Sequence, residues 1–240
     1  MSRILRGCSL AMGRACVVGL ATGLLWLGTT TAVSAASLTI RTGVDAGGAV
    51  LGSGVADPLW TISVQGGAFV AAEVAAPGHP IICCGMETVS STARWISDPS
   101  ISTGSAATGW GVGPTAIARR SFDLSAFDLS TVALTGFWRV ADNRRGVFIN
   151  GNLLPGTNDG GAGWNNDQAL NLAAGSGFFV QGQNVIEIRG TSQNSNWDGF
   201  WLDVTLEGRD RNGGGTVPEP TTLALMGTAL LGAVTRRRRR

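Results

Sequence analysis

The sequence predicts an all-β domain, a β-sandwich or jelly roll, with an apolar helix at each end of the chain. Apolar and polar residues alternate in several short runs, as in strands with one buried face. Glycine accounts for 36 of the 240 residues and charged residues are few, which is typical of short strands joined by tight turns. Between residues 37 and 208, no window shows a sustained helical stripe of apolar residues.

The first 36 residues have the three regions of a secretory signal peptide. The first 14 residues contain three arginines. An apolar run over residues 15–27 follows, and the segment ends in the small residues of Val33-Ser34-Ala35-Ala36. The run is short for a membrane span, which needs about 20 residues. We predict a signal helix over 1–36 that uses Sec-type export machinery and that signal peptidase removes after Ala35 or Ala36.

The charge of the exported part differs from that of the whole chain. Eight of the eighteen arginines lie in the two terminal segments, so residues 37–216 carry ten arginines against fifteen acidic residues, a net charge of about −5. Nucleic acid is therefore not expected as a partner, because binding it requires a basic surface. The length, about 180 residues, suits one domain.

Strands are predicted where the alternation is clearest. Every second residue is apolar in these runs: Trp60-Ile62-Val64, Val132-Leu134-Gly136-Trp138-Val140, Ile186-Ile188 and Phe200-Leu202-Val204-Leu206. A hairpin is predicted at Asn150-Gly151, since both residues tolerate the positive φ that a two-residue turn needs and Val147-Phe148-Ile149 and Leu153-Leu154 flank them.

The C-terminal end has a distinctive order. After a glycine-rich linker over 209–216 comes Pro218-Glu219-Pro220, then an uncharged stretch over 221–235, then five arginines at 236–240. As a helix the stretch is about 22 Å long, short for a hydrocarbon core of about 30 Å. By the positive-inside bias the arginines, Arg236, Arg237 and Arg238 among them, stay cytoplasmic.

Residues 217–240 resemble the PEP-CTERM sorting signal, in which a Pro-Glu-Pro motif precedes a short transmembrane helix and a basic end. The resemblance implies recognition by an exosortase-type protease and cleavage near Pro218-Glu219-Pro220. It also implies transient anchoring in the inner membrane of a Gram-negative-type bacterium, followed by transfer to the cell surface or an exopolysaccharide matrix. An ordinary tail anchor is the alternative.

The body, residues 37–208, resembles the galactose-binding-like jelly-roll domains common in exported PEP-CTERM proteins. Gly182 and Asn184 would then be turn residues, with Asn184 satisfying loop backbone groups rather than touching ligand. The resemblance rests on these segments in order: Thr42-Gly43-Val44-Asp45, Asp57-Pro58-Leu59-Trp60, Arg94-Trp95-Ile96, Phe122-Asp123-Leu124, Trp138 to Asn143, Val147 to Gly151 and Phe179 to Asn184.

Candidate ligand-binding residues are tryptophans beside amide and carboxylate side chains, placed in loops. An indole ring and such hydrogen-bonding groups suit the apolar face and the hydroxyls of a sugar. The alternative is that these residues only pack and make turn bonds, which we expect of Trp60, Trp95 and Trp138. The candidates are Trp164, Asn165, Asp167, Trp197 and Asp198.

Metal and redox chemistry have weaker signals. Cys83 and Cys84 are neighbours in an exported segment, so a vicinal disulfide competes with reduced or intermolecular forms. His79 is the single histidine, too few for a zinc site. No cofactor is expected and the metal content is unknown, although Asn158-Asp159-Gly160 with 165–167 leaves a structural calcium open.

Catalysis is not expected. A serine hydrolase would need His79 beside a nucleophile, and the sequence has no nucleophile-elbow motif. No spacing pairs the acidic residues as in a glycosidase. The sequence thus predicts a non-catalytic exported protein that binds carbohydrate, with exopolysaccharide as the expected partner. A structural envelope or matrix protein without specific glycan binding is the alternative. The sequence leaves the glycan, the oligomeric state and the biological role open.

Overall fold

The fold was analysed in a computed structural model, which describes residues 34–76, 91–99, 115–192 and 198–212. All the elements with described bounds are strands, which confirms the all-β prediction. The strands are β1 (Ala35–Arg41), β2 (Ala56–Val64), β3 (Val70–Val74), β4 (Ile96–Ser97), β5 (Thr115–Asp123), β6 (Phe127–Ile149), β7 (Asn152–Leu153), β8 (Ala162–Leu172), β9 (Gln183–Thr191) and β10 (Gly199–Asp210).

The predicted helices at the chain ends lie outside the described residues. Within the described ranges, no helix has the length and apolar character to cross a membrane. The strands extend slightly beyond the predicted body, since β1 begins at Ala35 and β10 ends at Asp210.

All strands join one antiparallel sheet that closes on itself. The strand order is β1-β10-β4-β3-β2-β5-β9-β6-β7, with β8 on β6, and a second pairing of β10 with β6 closes the sheet. The first half of β6 pairs with β10 and β8, and its second half pairs with β9 and β7. We call β1-β10-β6-β8 the first layer and β3-β2-β5-β9-β6-β7 the second layer.

The interior is filled by the residues that the alternation predicted. All four apolar residues of the β10 run are buried: Phe200, Leu202, Val204 and Leu206. The apolar residues of the other runs are buried as well, with two exceptions, Val64 and Gly136, which are half-buried. Burying a large apolar side chain is worth about 1.5–3 kcal/mol, so this interior is the main stabilising element. Trp60, Trp95 and Trp138 are also buried, which confirms that they pack.

The predicted hairpin is present between β6 and β7. Asn150 and Gly151 have φ of 52° and 79°, and Phe148 pairs with Leu153 across the turn. Asn184 supports it, since its Oδ1 accepts a bond from Asn150 Nδ2 at 2.8 Å and its Nδ2 donates to the carbonyls of Val180 and Gly182. Asn184 therefore satisfies loop backbone groups, as predicted.

One local prediction is wrong. Residues 164–167 were predicted to form a loop, whereas they belong to strand β8. The pairs Trp138 with Gln168 and Val140 with Gly163 hold this segment against β6, and the register shifts between them. Pairing with a neighbouring strand therefore overrides the low strand propensity of Asn and Asp.

Candidate ligand-binding face

A shallow groove of about 390 Å³ lies on the outer face of the first layer. Successive side chains of a strand point to opposite faces, so burying one set of β6 and β10 residues presents the other set outward. The pairs Thr135 with Thr205 and Phe137 with Asp203 stand side by side across the two strands. The residues lining the groove are Thr135, Gly136, Phe137, Asp167, Trp201, Asp203 and Thr205.

The groove has an apolar centre and hydroxyl groups beside it. The ring of Phe137 is 47% exposed, which is unusual for a large apolar side chain in the middle of a strand. Thr135, two residues earlier, and Thr205, its partner on β10, add hydroxyl groups that can donate and accept hydrogen bonds. The surface thus offers a flat ring next to polar groups.

Both carboxylates of the groove are fixed by arginines. Asp203 accepts a bond from Arg41 Nε at 2.9 Å and another from the Thr92 hydroxyl. Asp167 accepts a bond from Arg139 Nε at 2.8 Å. Each carboxylate keeps acceptor capacity beyond these bonds, because a carboxylate has about four lone-pair sites. The groove is therefore close to neutral but rich in oriented acceptors.

Gly136 allows β6 and β10 to approach closely under the groove. Its φ is 148°, and a Cβ atom there would overlap the carbonyl oxygen of Asp203 and contact Val204. A residue with a side chain would push the two strands apart. The distance between Phe137 and Asp203, and hence the shape of the groove, depends on this glycine.

Trp201 connects the groove to a small apolar cluster. It is 3% exposed and packs with Trp95, Ala141, Ala75 and Ala93, against which Trp164 also lies. Its indole Nε1 is buried and has no hydrogen-bond partner within the described part of the chain. An unpaired buried N–H costs about 1–3 kcal/mol, so a bound acceptor that reached it would be favoured.

The predicted site residues are only partly brought together. Arg139 joins two of them, because its Nε bonds Asp167 and its Nη1 donates to the carbonyl oxygen of Trp164 at 3.2 Å. Trp164 is half-buried, and Asp198 is fully buried, with its carbonyl accepting a bond from the Ser97 hydroxyl. The side chain of Asn165 and all of Trp197 lie outside the described residues.

Two of the acidic residues suggested for calcium, Asp159 and Asp167, pair with arginines. Asp159 forms a two-bond ion pair with Arg144, at 2.8 and 2.7 Å, and Asp167 pairs with Arg139. In the described ranges, no group of three or more His, Cys, Asp and Glu side chains is placed to hold a metal ion. The predicted vicinal disulfide of Cys83 and Cys84, with His79, lies outside those ranges.

Sequence reasoning did not select Phe137, Thr135, Asp203 and Thr205 as site residues. The alternation contained the information needed to find Phe137. Because successive residues of a strand point to opposite faces, the pattern that turns Trp138 inward turns Phe137 outward. Asp203 and Thr205 occupy outward positions of β10 in the same way. Which outward residues become neighbours depends on the register of β6 against β10, which the sequence does not reveal.

The chain ends in a recognised sorting signal. Residues 216–240 match the PEP-CTERM protein-sorting motif, in agreement with the resemblance of the Pro-Glu-Pro tail. No curated protein matches the sequence at a significant level. The matched residues lie outside the described ranges, and the match does not extend to the β domain. The chain therefore carries a PEP-CTERM tail, which implies export, membrane anchoring followed by processing, and recognition by an exosortase.

Proposed function

We propose that this is a non-catalytic surface or matrix protein whose β domain binds carbohydrate in the groove around Phe137. The body would be a galactose-binding-like jelly roll, exported through the Sec pathway and released by exosortase to the surface or exopolysaccharide matrix of a Gram-negative-type bacterium. The observation that carries the proposal is the exposed Phe137 ring, flanked by threonine hydroxyls and by two oriented carboxylates.

The chemistry of a sugar ring fits this arrangement. A pyranose has C–H groups on its faces and hydroxyls around its edge, so one face can lie on an aromatic ring while the hydroxyls bond nearby polar groups. Asp203 and Asp167 are already held by Arg41 and Arg139, so they lose little conformational entropy when a ligand binds. The openness of the groove suits a surface residue of a long polymer rather than a small enclosed ligand.

The same contacts support a binding role rather than a catalytic one. Glycosidases use one protonated and one free carboxyl group on either side of the bond they cleave. Asp167 and Asp203 instead each accept a bond from an arginine, so both are held as hydrogen-bond acceptors beside the Phe137 ring.

The first test is binding of neutral polysaccharides, such as dextran and galactan, to the full-length protein by affinity electrophoresis. Phe137→Ala should weaken binding by about tenfold, since losing a central aromatic contact costs about 1–2 kcal/mol. The matched control is Val180→Ala, because Val180 is also an exposed apolar residue, at 49%, but lies away from the groove.

Trp164→Ala and Trp197→Ala variants extend the test to the tryptophans that the sequence singled out. If only Phe137→Ala weakens binding, the site is the groove, whereas an effect of one tryptophan variant alone places the site at that tryptophan. If the folded protein binds no glycan of the panel, carbohydrate binding is wrong and the structural matrix protein becomes the better account.

A further inference from the structure

The outer face of the second layer has a different chemistry from the groove. Arg119 of β5 and Glu187 of β9 are directly paired across the strands, and Glu187 is paired with Phe148 of β6. The adjacent row contains Arg189, paired with Ile117. These two rows carry two positive charges and one negative charge. They are therefore locally positive, although residues 37–216 as a whole have a negative net charge. We call Phe69, Arg119, Phe148, Glu187 and Arg189 the arginine face.

Each arginine of this face is stacked on an aromatic ring. The guanidinium carbon of Arg119 lies 3.5 Å from the centre of the Phe69 ring, and that of Arg189 lies 3.8 Å from the centre of the Phe148 ring. A cation over an aromatic face is stabilised by the ring's quadrupole. This contact restrains the guanidinium, whose N–H groups can still donate hydrogen bonds.

Arg119 has hydrogen-bonding capacity that the described residues do not use. Its side chain is exposed, and among those residues it makes no hydrogen bond or ion pair and contacts the Phe69 ring. Arg189, in contrast, bonds Glu187 through Nε and Nη2, at 3.1 and 2.6 Å. The donors of Arg119 therefore face solvent, and Arg189 is its diagonal neighbour on the next strand.

We propose that the arginine face binds an acidic polysaccharide through the carboxylates of its uronic acid residues. A guanidinium matches a carboxylate with two parallel hydrogen bonds, and Arg119 is already oriented for them. The adjacent Phe69 and Phe148 rings offer apolar surface to the sugar rings.

This site is separate from the groove. The groove lies on the outer face of the first layer, so the two surfaces are on opposite sides of the closed sheet. A protein with one face for neutral sugar rings and one for acidic residues could contact two polymers at once.

The test compares two polymers with one backbone, polygalacturonate and its fully methyl-esterified form, as ligands for the full-length protein. Polygalacturonate should bind more tightly than the ester, because esterification removes the carboxylate charges that Arg119 would recognise. Arg119→Gln should weaken binding about tenfold, as expected for charge-assisted hydrogen bonds. Arg211→Gln is the matched control, since it removes the same charge from an exposed arginine at the end of β10.

Several results would overturn the inference. Equal binding of the two polymers would show that carboxylates are not recognised, and equal losses in the Arg119 and Arg211 variants would show non-specific charge attraction. Equal or tighter binding of phosphatidylglycerol vesicles would assign the face to lipid. Phe137→Ala should leave the preference for polygalacturonate over the ester unchanged, so failure of this site and failure of the groove are distinguishable. Melting temperatures of all variants check that each is folded.

Discussion

Asp57, at the start of β2, is a buried carboxyl group that accepts three backbone hydrogen bonds. Its Oδ2 accepts a bond from the Gly43 N–H at 2.7 Å, and its Oδ1 accepts bonds from the N–H groups of Leu59 and Trp60. Burial raises the pKa of this carboxyl, while the three backbone bonds and Arg120 oppose the rise. Asp57 thus joins β2 to the loop that follows β1.

Asp57→Asn should destabilise the domain by about 1–3 kcal/mol. An amide has one oxygen, so its NH₂ group would face either the Gly43 N–H or those of Leu59 and Trp60, leaving buried donors unpaired. Urea unfolding followed by tryptophan fluorescence measures the change. Asp123→Asn is the control, because Asp123 is exposed and makes the same kind of turn bond to Ser125; its effect should stay within about 0.5 kcal/mol. Equal effects of the two substitutions would contradict this account of Asp57.

At the scale of strands, the pairing of β6 with β10 depends on Gly136. Gly136→Ala should cost about 2–4 kcal/mol, because the added methyl group overlaps the backbone of Asp203 and Val204 and an L-residue is strained at this φ. The same change should weaken glycan binding in the groove, since it moves Asp203 relative to Phe137. Thermal unfolding and affinity electrophoresis measure the two effects.

Gly48→Ala is the control for backbone strain alone. Gly48 has φ of 83°, but no atom lies within 4 Å of a Cβ placed there. Its cost should be about 1–2 kcal/mol, the penalty for a left-handed conformation. If Gly136→Ala costs no more than Gly48→Ala, close approach of β6 and β10 is not what Gly136 provides.

The sequence predicted which residues of the strands are buried better than it predicted the strands themselves. The alternation correctly placed Leu202 and Val204 inside, because a period of two requires no knowledge of the partner strand. It did not predict that β6 runs continuously over 23 residues, since Asn143-Arg144-Arg145-Gly146 interrupts the apolar pattern. Arg144 is tolerated there because Asp159, far along the chain, pairs with it.

The candidate site was harder to predict for the same reason. Asp167 and Asp203 line one groove although 36 positions separate them, and only the register of β8, β6 and β10 makes them neighbours. Local composition selected Trp164, Trp197 and Asp198, because it detects residue types rather than spatial neighbours. The tail needed no such information, since its motif is continuous along the chain.

The stability of the whole molecule depends on pH through two carboxyl groups, those of Asp159 and Asp57, which act in opposite directions. Arg144 lowers the pKa of Asp159 to about 2, below the ordinary value of 3.8, so this ion pair stabilises the native state above about pH 4. The contribution disappears as pH falls from about 4 to 2. Asp57, whose pKa is raised by burial, acts in the other direction, because its contribution is lost as pH rises through the folded-state pKa.

Asp159→Asn should isolate the first of these effects. The side chain of Asp159 is 52% exposed, so solvent screens the pair and its loss should cost less than about 1 kcal/mol at neutral pH. Urea unfolding of the two proteins between pH 7 and 2 should show a constant difference down to about pH 4 that then shrinks towards zero. A difference that persists undiminished at pH 2 would mean that packing of the 155–161 loop, rather than the charge of Asp159, stabilises the native state. The ion pair between Arg144 and Asp159 would then not be what attaches the loop to β6.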